Sequence, residues 1–192
     1  MKSNIVLIGM PGVGKSTLGV VLAKQLGYDF VDTDLVIQHK YGKTLQELIE
    51  KRGDEGFIEL ENRELSQIDC EHTVIATGGS AVYGKEAMEH LAKIGTIVYL
   101  DAPEQELEDR LGDLDERGVV RNGKDTVREI FEERLYLYMQ YAQITIQLTG
   151  KTLRTAVDNT VKLLKSSGLV SETSERIPEA DLSGRAAAQS NQ

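Results

Sequence analysis

A glycine-rich segment near the amino terminus constrains the fold more than any other part of the chain. It reads GMPGVGKST over residues 9–17, follows the apolar run NIVLI at residues 4–8, and leads into a helical pattern at residues 16–26. This order of strand, glycine loop and helix, with the spacing G-x-x-x-x-G-K-[ST], is typical of the phosphate-binding loop of nucleotide hydrolases and kinases. The segment therefore predicts that the chain binds ATP or GTP.

The residues of this loop have separate chemical roles. Glycines let successive backbone N–H groups turn towards an anion, and the positive end of the following helix adds to the attraction. Lys15 is expected to reach the β- and γ-phosphates, and the Ser16 hydroxyl is expected to bind Mg²⁺. ATP and Mg²⁺ are therefore the predicted cofactors. The predicted nucleotide-binding residues of the loop are Gly12, Val13, Gly14, Lys15, Ser16 and Thr17.

Four further short apolar runs predict β-strands. They lie at residues 28–31, 73–76, 96–100 and 144–148, with helical spacing between them. Apolar strands that alternate with helices indicate a parallel sheet covered on both faces. We therefore predict an α/β protein with the three-layer P-loop kinase fold, in which residues 1–166 form a single domain.

Three segments stand outside this alternation. The connection at residues 33–70 is too long for a simple crossover, and it predicts a helical substrate-binding insertion that is broken near Gly53. Residues 112–124 are polar and contain glycine, which favours a mobile lid over the nucleotide site, with a flexible surface loop as the alternative. Residues 167–192 are small, polar and without periodicity, so a disordered tail is expected.

Composition excludes several classes of partner. The formal net charge of −9 disfavours duplex nucleic acid, and the single cysteine rules out an internal disulfide and fits a reducing cytosol. No apolar run is long enough to predict a membrane span. A monomeric cytoplasmic protein that acts on a small molecule is therefore expected.

Two carboxylates follow the second predicted strand, in the sequence Asp32-Thr33-Asp34. Ligands of parallel sheets gather at the carboxyl ends of the strands. Asp32 is expected to hold the Mg²⁺ shell, mostly through water, and Asp34 to bind the acceptor hydroxyl and take its proton. The alternative is that one of the two only caps the next helix.

The third predicted strand ends in a glycine pair, and a later helix carries an arginine on its apolar side. Gly78 and Gly79 indicate a close approach of backbone to ligand, although an ordinary turn would also use glycine. Arg134 falls on the apolar stripe of the helix at residues 126–141, where a buried cation needs an anionic partner such as a ligand. The alternative is a side chain that snorkels at the edge of the stripe.

Together these motifs resemble those of the shikimate kinases, which belong to the nucleoside-monophosphate-kinase group of P-loop folds. The resemblance implies the strand order 2-3-1-4-5 and ATP-dependent phosphorylation of shikimate. The motifs that carry it are GMPGVGKST, DTD at residues 32–34, GF-x-x-x-E at 56–61, TGG at 77–79, the pair Arg110 and Arg117, and R-x-x-x-Y-x-x-x-A from Arg134.

The resemblance also implies roles for individual residues. Asp34 would bind the hydroxyls of shikimate, the glycine pair at residues 78–79 would line its pocket, and Arg134 would hold its carboxylate. Arg117 would close from the lid onto the γ-phosphate, and Arg110 would lie against adenine. The predicted catalytic residues are Lys15, Asp34 and Arg117.

Three departures from the family pattern affect the acceptor half. The family has an arginine after Phe57 that contacts the substrate carboxylate, whereas this chain has Ile58, which leaves the supporting acid Glu61 without its partner. Ser80 replaces a third glycine and would be strained if its φ were positive. The usual R-P-L-L of the lid is RGVV at residues 117–120.

These departures leave two other functions open. The fold could phosphorylate another small hydroxylated metabolite, such as homoserine or a sugar acid. It could also have become a nucleotide-binding regulator that no longer catalyses.

Overall fold

The computed structural model describes residues 2–111 and 118–169. The strands are β1 Asn4–Ile8, β2 Asp29–Asp32, β3 Thr73–Ala76, β4 Gly95–Asp101 and β5 Ile144–Gln147. The helices are α1 Lys15–Leu26, α2 Thr33–Tyr41, α3 Leu45–Leu65, α4 Lys85–Ile94, α5 Glu104–Leu111, α6 Val127–Tyr141 and α7 Leu153–Ser166, with a 3₁₀ turn at Ala81–Tyr83.

The five strands form one parallel sheet with the order β2-β3-β1-β4-β5, which confirms the prediction. β1 lies at the centre and pairs with β3 on one side and β4 on the other. Every residue of β1 and β3 is buried, as expected for central strands covered by helices on both faces. The carboxyl ends of these strands bring the glycine loop and the glycine pair to the same edge of the sheet.

The connection between β2 and β3 consists mainly of α2 and α3. α3 begins with a capping box, in which Thr44 and Glu47 each hydrogen-bond the backbone N–H of the other. Gly53 breaks the helix with φ 71 and ψ 171, a conformation that favours glycine, and the predicted interruption is therefore confirmed.

The other two segments are described only in part. Residues 118–124 of the predicted lid are described, and residues 112–117 lie outside the described ranges. Of the predicted tail, only residues 167–169 are described, directly after α7. Within the described parts of the chain, no helix has the length and apolar character needed to cross a membrane.

Candidate active site

A cavity of about 540 Å³ lies where the glycine loop, the end of β3, α3 and α6 meet. Its lining combines predicted residues from both halves of the site. Gly12, Lys15 and Ser16 were predicted to bind the nucleotide, and Asp34, Gly79 and Arg134 were predicted to bind the acceptor. The fold therefore brings together residues that are far apart in the sequence.

Lys15 is held at the base of the glycine loop. Its Nζ donates to the carbonyl oxygens of Gly9 at 2.8 Å and Met10 at 2.9 Å. Burial lowers the pKa of Lys15 to about 8, against the opposing attraction of Asp34. Gly14 precedes α1 with φ 102 and provides no side-chain cap, so the first N–H groups of the helix have no side-chain acceptor there. Such a helix start suits an anion.

Ser16 and Asp32 bring two oxygen ligands together. The Ser16 hydroxyl donates to Asp32 Oδ2 at 2.6 Å. Asp32 Oδ1 accepts from the backbone N–H groups of Asp34 at 3.0 Å and Leu35 at 3.4 Å, so this carboxylate also caps α2. Mg²⁺ prefers oxygen ligands and keeps several waters, and this pair fits it. The described residues contain no group of three or more His, Cys, Asp or Glu side chains that could hold a metal.

Asp34 lines the cavity and has one carboxylate oxygen that no other described group binds. Its Oδ1 is buried and has no hydrogen-bond partner among the described residues. Burial raises the pKa of Asp34 to about 6, although the positive charge of Lys15 opposes this change. An unused carboxylate oxygen in a cavity is suited to accept a hydrogen bond from a ligand hydroxyl.

The glycine pair allows three parts of the chain to approach closely. A Cβ atom on Gly78 would lie 2.2 Å from Glu61 Oε1 and 2.8 Å from Asp34 Oδ1. A Cβ atom on Gly79 would lie 2.6 Å from Pro11 Cδ in the glycine loop. Side chains at these positions would therefore displace the carboxylates of Glu61 and Asp34 and the glycine loop.

Arg134 is fully buried, with 0% of its surface exposed, so the snorkelling alternative is wrong. Its Nε donates to the Tyr83 hydroxyl at 3.2 Å, and its Nη2 donates to the Val120 carbonyl at 2.6 Å. Its Nη1 is buried without a partner in the described structure. A buried cation with an unused donor in a cavity is suited to hold an anionic ligand.

Of the two arginines assigned to the nucleotide, one is described. Arg110 donates to Glu106 at 2.9 Å and makes a long contact of 3.5 Å to the Val13 carbonyl. It lines a second cavity of about 210 Å³ beside the glycine loop, together with Leu148 and Leu153. Arg117 lies outside the described residues, and its proposed role stays a prediction.

The structure corrects two expectations about the departures in the acceptor half. Glu61 does have a partner, because the Ser80 hydroxyl donates to Glu61 Oε2 at 2.6 Å. Ser80 has φ −90, so the expected strain does not occur. Arg63 does not line the cavity and donates to the Tyr41 hydroxyl at 2.6 Å.

Two contributing residues were not singled out in the sequence. The Thr33 hydroxyl accepts from the Gly78 N–H at 3.2 Å and so connects the start of α2 to the glycine pair. The position of Thr33 between two aspartates could have indicated in the sequence that it contributes to the site. Tyr83 contacts Arg134 with both its hydroxyl and its ring, whose centroid lies 5.2 Å from the guanidinium carbon. No motif marks this tyrosine.

The fold and the site define a P-loop phosphotransferase with a nucleotide half and a small acceptor cavity. The family model described as "Shikimate kinase" matches residues 11–165. The chain belongs to the shikimate kinase family, which consists of ATP-dependent small-molecule kinases, and the predicted resemblance is confirmed.

Individual relatives agree with this assignment. A shikimate kinase from Francisella tularensis is 37% identical over 175 residues, which cover 88% of this chain and 96% of the relative. One from Clostridium botulinum is 34% identical over 165 residues, covering 85% and 98%. The structure of shikimate kinase from Acinetobacter baumannii in complex with shikimate superposes with a TM-score of 0.80 at 32% identity, covering 88% of this chain and 96% of that one.

Proposed function

We propose that this protein transfers the γ-phosphoryl group of ATP to a hydroxyl of shikimate, which yields shikimate 3-phosphate and ADP. The observation that carries the proposal is that Arg134 and Asp34 line one cavity, and that Arg134 Nη1 and Asp34 Oδ1 each lack a hydrogen-bond partner among the described residues. Shikimate has a carboxylate that can accept a hydrogen bond from Arg134 and hydroxyls that can donate to Asp34. Family membership supports this acceptor over the alternatives.

The reaction follows from the arrangement of the site. The acceptor hydroxyl donates its hydrogen bond to the Asp34 carboxylate, and its oxygen attacks the γ-phosphorus. A new oxygen–phosphorus bond forms, the bond from this phosphorus to the bridging oxygen breaks, and the proton passes to Asp34. Lys15 offsets the negative charge on the phosphates. To do so, Lys15 must replace its hydrogen bonds to the Gly9 and Met10 carbonyls with hydrogen bonds to phosphate oxygens.

The remaining nucleotide contacts are assigned in the same way. Residues 12–17 would surround the phosphates with backbone N–H groups, and Arg110 would lie against adenine. Ser16 and Asp32 would hold Mg²⁺ together with water and phosphate oxygens, and the ion would neutralise phosphate charge. Arg117 would approach the γ-phosphate from the lid.

The proposal also covers the segments around the acceptor. Residues 33–70 would bind it, and residues 112–124 would cover it. In support, Val119 and Val120 are buried and line the cavity, and a Cβ atom on Gly118 would lie 2.8 Å from the backbone nitrogen of Gln46. The monomeric state and the cytoplasmic location stay predictions from the sequence.

A coupled assay of ADP release with shikimate, homoserine and gluconate tests the acceptor. We expect kcat/KM for shikimate to exceed the other two values by at least about 100-fold, since a site built for the hydrogen bonds of one acceptor rejects others by this order. Higher turnover with homoserine or gluconate would show that this compound, and not shikimate, is the preferred acceptor. ATP binding without turnover above the ATPase background would favour the alternative that the protein is a non-catalytic nucleotide-binding regulator.

Arg134→Lys tests how the carboxylate is held. Lysine keeps the charge but loses the planar pair of donors, and a charge-assisted hydrogen bond contributes about 1.5–3 kcal/mol, so KM for shikimate should rise about 10- to 150-fold. KM for ATP should stay within about twofold. The matched control is Arg128→Lys, an exposed position on the same helix. A comparable rise in KM for ATP would show that Arg134 does not act on the acceptor.

A further inference from the structure

Glu61 has an unusual position behind the acceptor cavity. It lies on α3 with only 1% of its surface exposed. Its Oε2 accepts from Ser80 Oγ at 2.6 Å, whereas its Oε1 is buried without a partner in the described structure. A Cβ atom on Gly78 would contact both this Oε1 and Asp34 Oδ1. Two unused carboxylate oxygens therefore converge on one glycine.

Among the described residues, no cation forms an ion pair with Glu61. Ile58, one helical turn earlier, is apolar, and Arg63 is engaged with Tyr41 and Glu64. The charged groups that act on Glu61 from the surrounding elements are Lys15 of α1, Asp34 of α2 and Arg134 of α6, and the Tyr138 hydroxyl of α6 also acts on it electrostatically.

The balance of these groups favours the neutral acid. Burial, together with the negative charge of Asp34, raises the pKa of Glu61 to about 7. The hydrogen bond from Ser80 and the positive charges of Arg134 and Lys15 oppose this change. A buried carboxylate without a cation is costly, and binding a proton avoids the cost.

We propose that Glu61 works in its protonated form as a positioning residue for Asp34, and that Ser80 decides which oxygen carries the proton. Because Ser80 Oγ donates to Oε2, this oxygen acts as the carbonyl of the acid, and the proton is on Oε1. The Oε1–H group is donated towards one lone pair of Asp34 Oδ1, and the second lone pair of this oxygen is left for the acceptor hydroxyl. Asp34 is thereby oriented towards the acceptor without the addition of another charge. The proposal rests on the assignment of Asp34 to the acceptor.

Glu61→Gln tests the neutral form. Glutamine can accept from Ser80 with its oxygen and donate towards Asp34 with its nitrogen, so it preserves the proposed pattern. We expect kcat/KM for shikimate at about pH 6.5, where the neutral form of Glu61 predominates, to stay within about threefold of the wild-type value. The matched control is Glu59→Gln, an exposed position on the same helix. A loss of more than about 30-fold, with the control unchanged, would show that the ionised carboxylate is needed and would overturn the proposal.

Titration of Glu61 provides a readout that does not depend on activity. In protein labelled with ¹³C at glutamate Cδ, one resonance should titrate near pH 7 and disappear in Glu61→Gln. The neutral form is favoured in the folded state, so the wild-type Tm should fall relative to that of the variant as the pH rises from about 4.5 to 7.5. A Glu61 resonance that titrates below pH 5 would overturn the proposal. These readouts keep their meaning if another acceptor is found.

Two further variants change the pKa of Glu61 in opposite directions. Ile58→Arg places a guanidinium three residues before Glu61 on the same helix, where it can pair with the carboxylate and lower its pKa. Glu61→Gln should then be more harmful in this background than alone. Ser80→Ala removes a hydrogen bond that favours the ionised form, so the titration should move to higher pH, and Ser80→Thr should restore it. No shift in either variant would contradict the assigned contacts.

Discussion

Replacing Asp34 by asparagine is expected to lower kcat with shikimate by about 10²- to 10⁴-fold, the usual contribution of a general base. Asparagine keeps the shape of the side chain and the hydrogen bond to a hydroxyl, but it does not take up the proton that the acceptor loses. Single-turnover measurements with saturating ATP would isolate this step.

The same variant separates catalysis from nucleotide binding. Because the glycine loop and Lys15 are unchanged in Asp34→Asn, calorimetry should give an affinity for ATP within about threefold of the wild-type value. Asp69→Asn, an exposed position outside the cavity, is the matched control. Unchanged turnover in Asp34→Asn would mean that another group accepts the proton, and the mechanism proposed for this site would be wrong.

Lys15→Ala is also expected to have a large effect, which is a fall in kcat/KM for ATP of about 10²- to 10³-fold. Lys15 is the charged side chain at the base of the glycine loop, and only 8% of its surface is exposed. Its removal takes away the ammonium that offsets phosphate charge, so ATP affinity and turnover should both fall. Calorimetry and the coupled assay measure the two effects separately.

The control for this prediction lies on the same helix. Lys24→Ala removes an exposed ammonium from α1 and should leave kcat/KM for ATP within about twofold. Lys15→Ala also removes the donor to the Gly9 and Met10 carbonyls, so Tm should be compared in both variants. A change of less than about tenfold in kcat/KM, with Tm maintained, would show that this lysine does not bind the triphosphate.

Much of the fold was predictable because its signals are local. The bounds of β1 and β3 agree with the apolar runs, since central strands of a parallel sheet contain few polar residues. α2 starts at Thr33, directly after the end of β2. Its start is set by the Asp32 carboxylate, which caps the helix. The possibility that an aspartate in this motif caps α2 was foreseen, but the sequence did not show which one.

The acceptor half was less predictable because its contacts join distant elements. The fold brings Asp34, the glycine pair and Arg134 to one cavity, as the motifs suggested. The hydrogen bond between Ser80 and Glu61 could not be inferred, since it depends on how α3 packs against the segment after β3. Both residues had been noticed as separate departures from a pattern. Only the structure shows that they are partners.

The two oxygens of the Asp32 carboxylate bind different parts of the chain, and this has a consequence for how the two substrates would be aligned. One oxygen meets Ser16 at the start of α1, and the other receives the backbone N–H of Asp34. The residues proposed to hold the phosphate donor and the attacking hydroxyl are thus connected to the same carboxylate. In the proposed reaction, a displacement of Ser16 or Asp34 would be transmitted through the Asp32 side chain, which would keep the two substrates aligned.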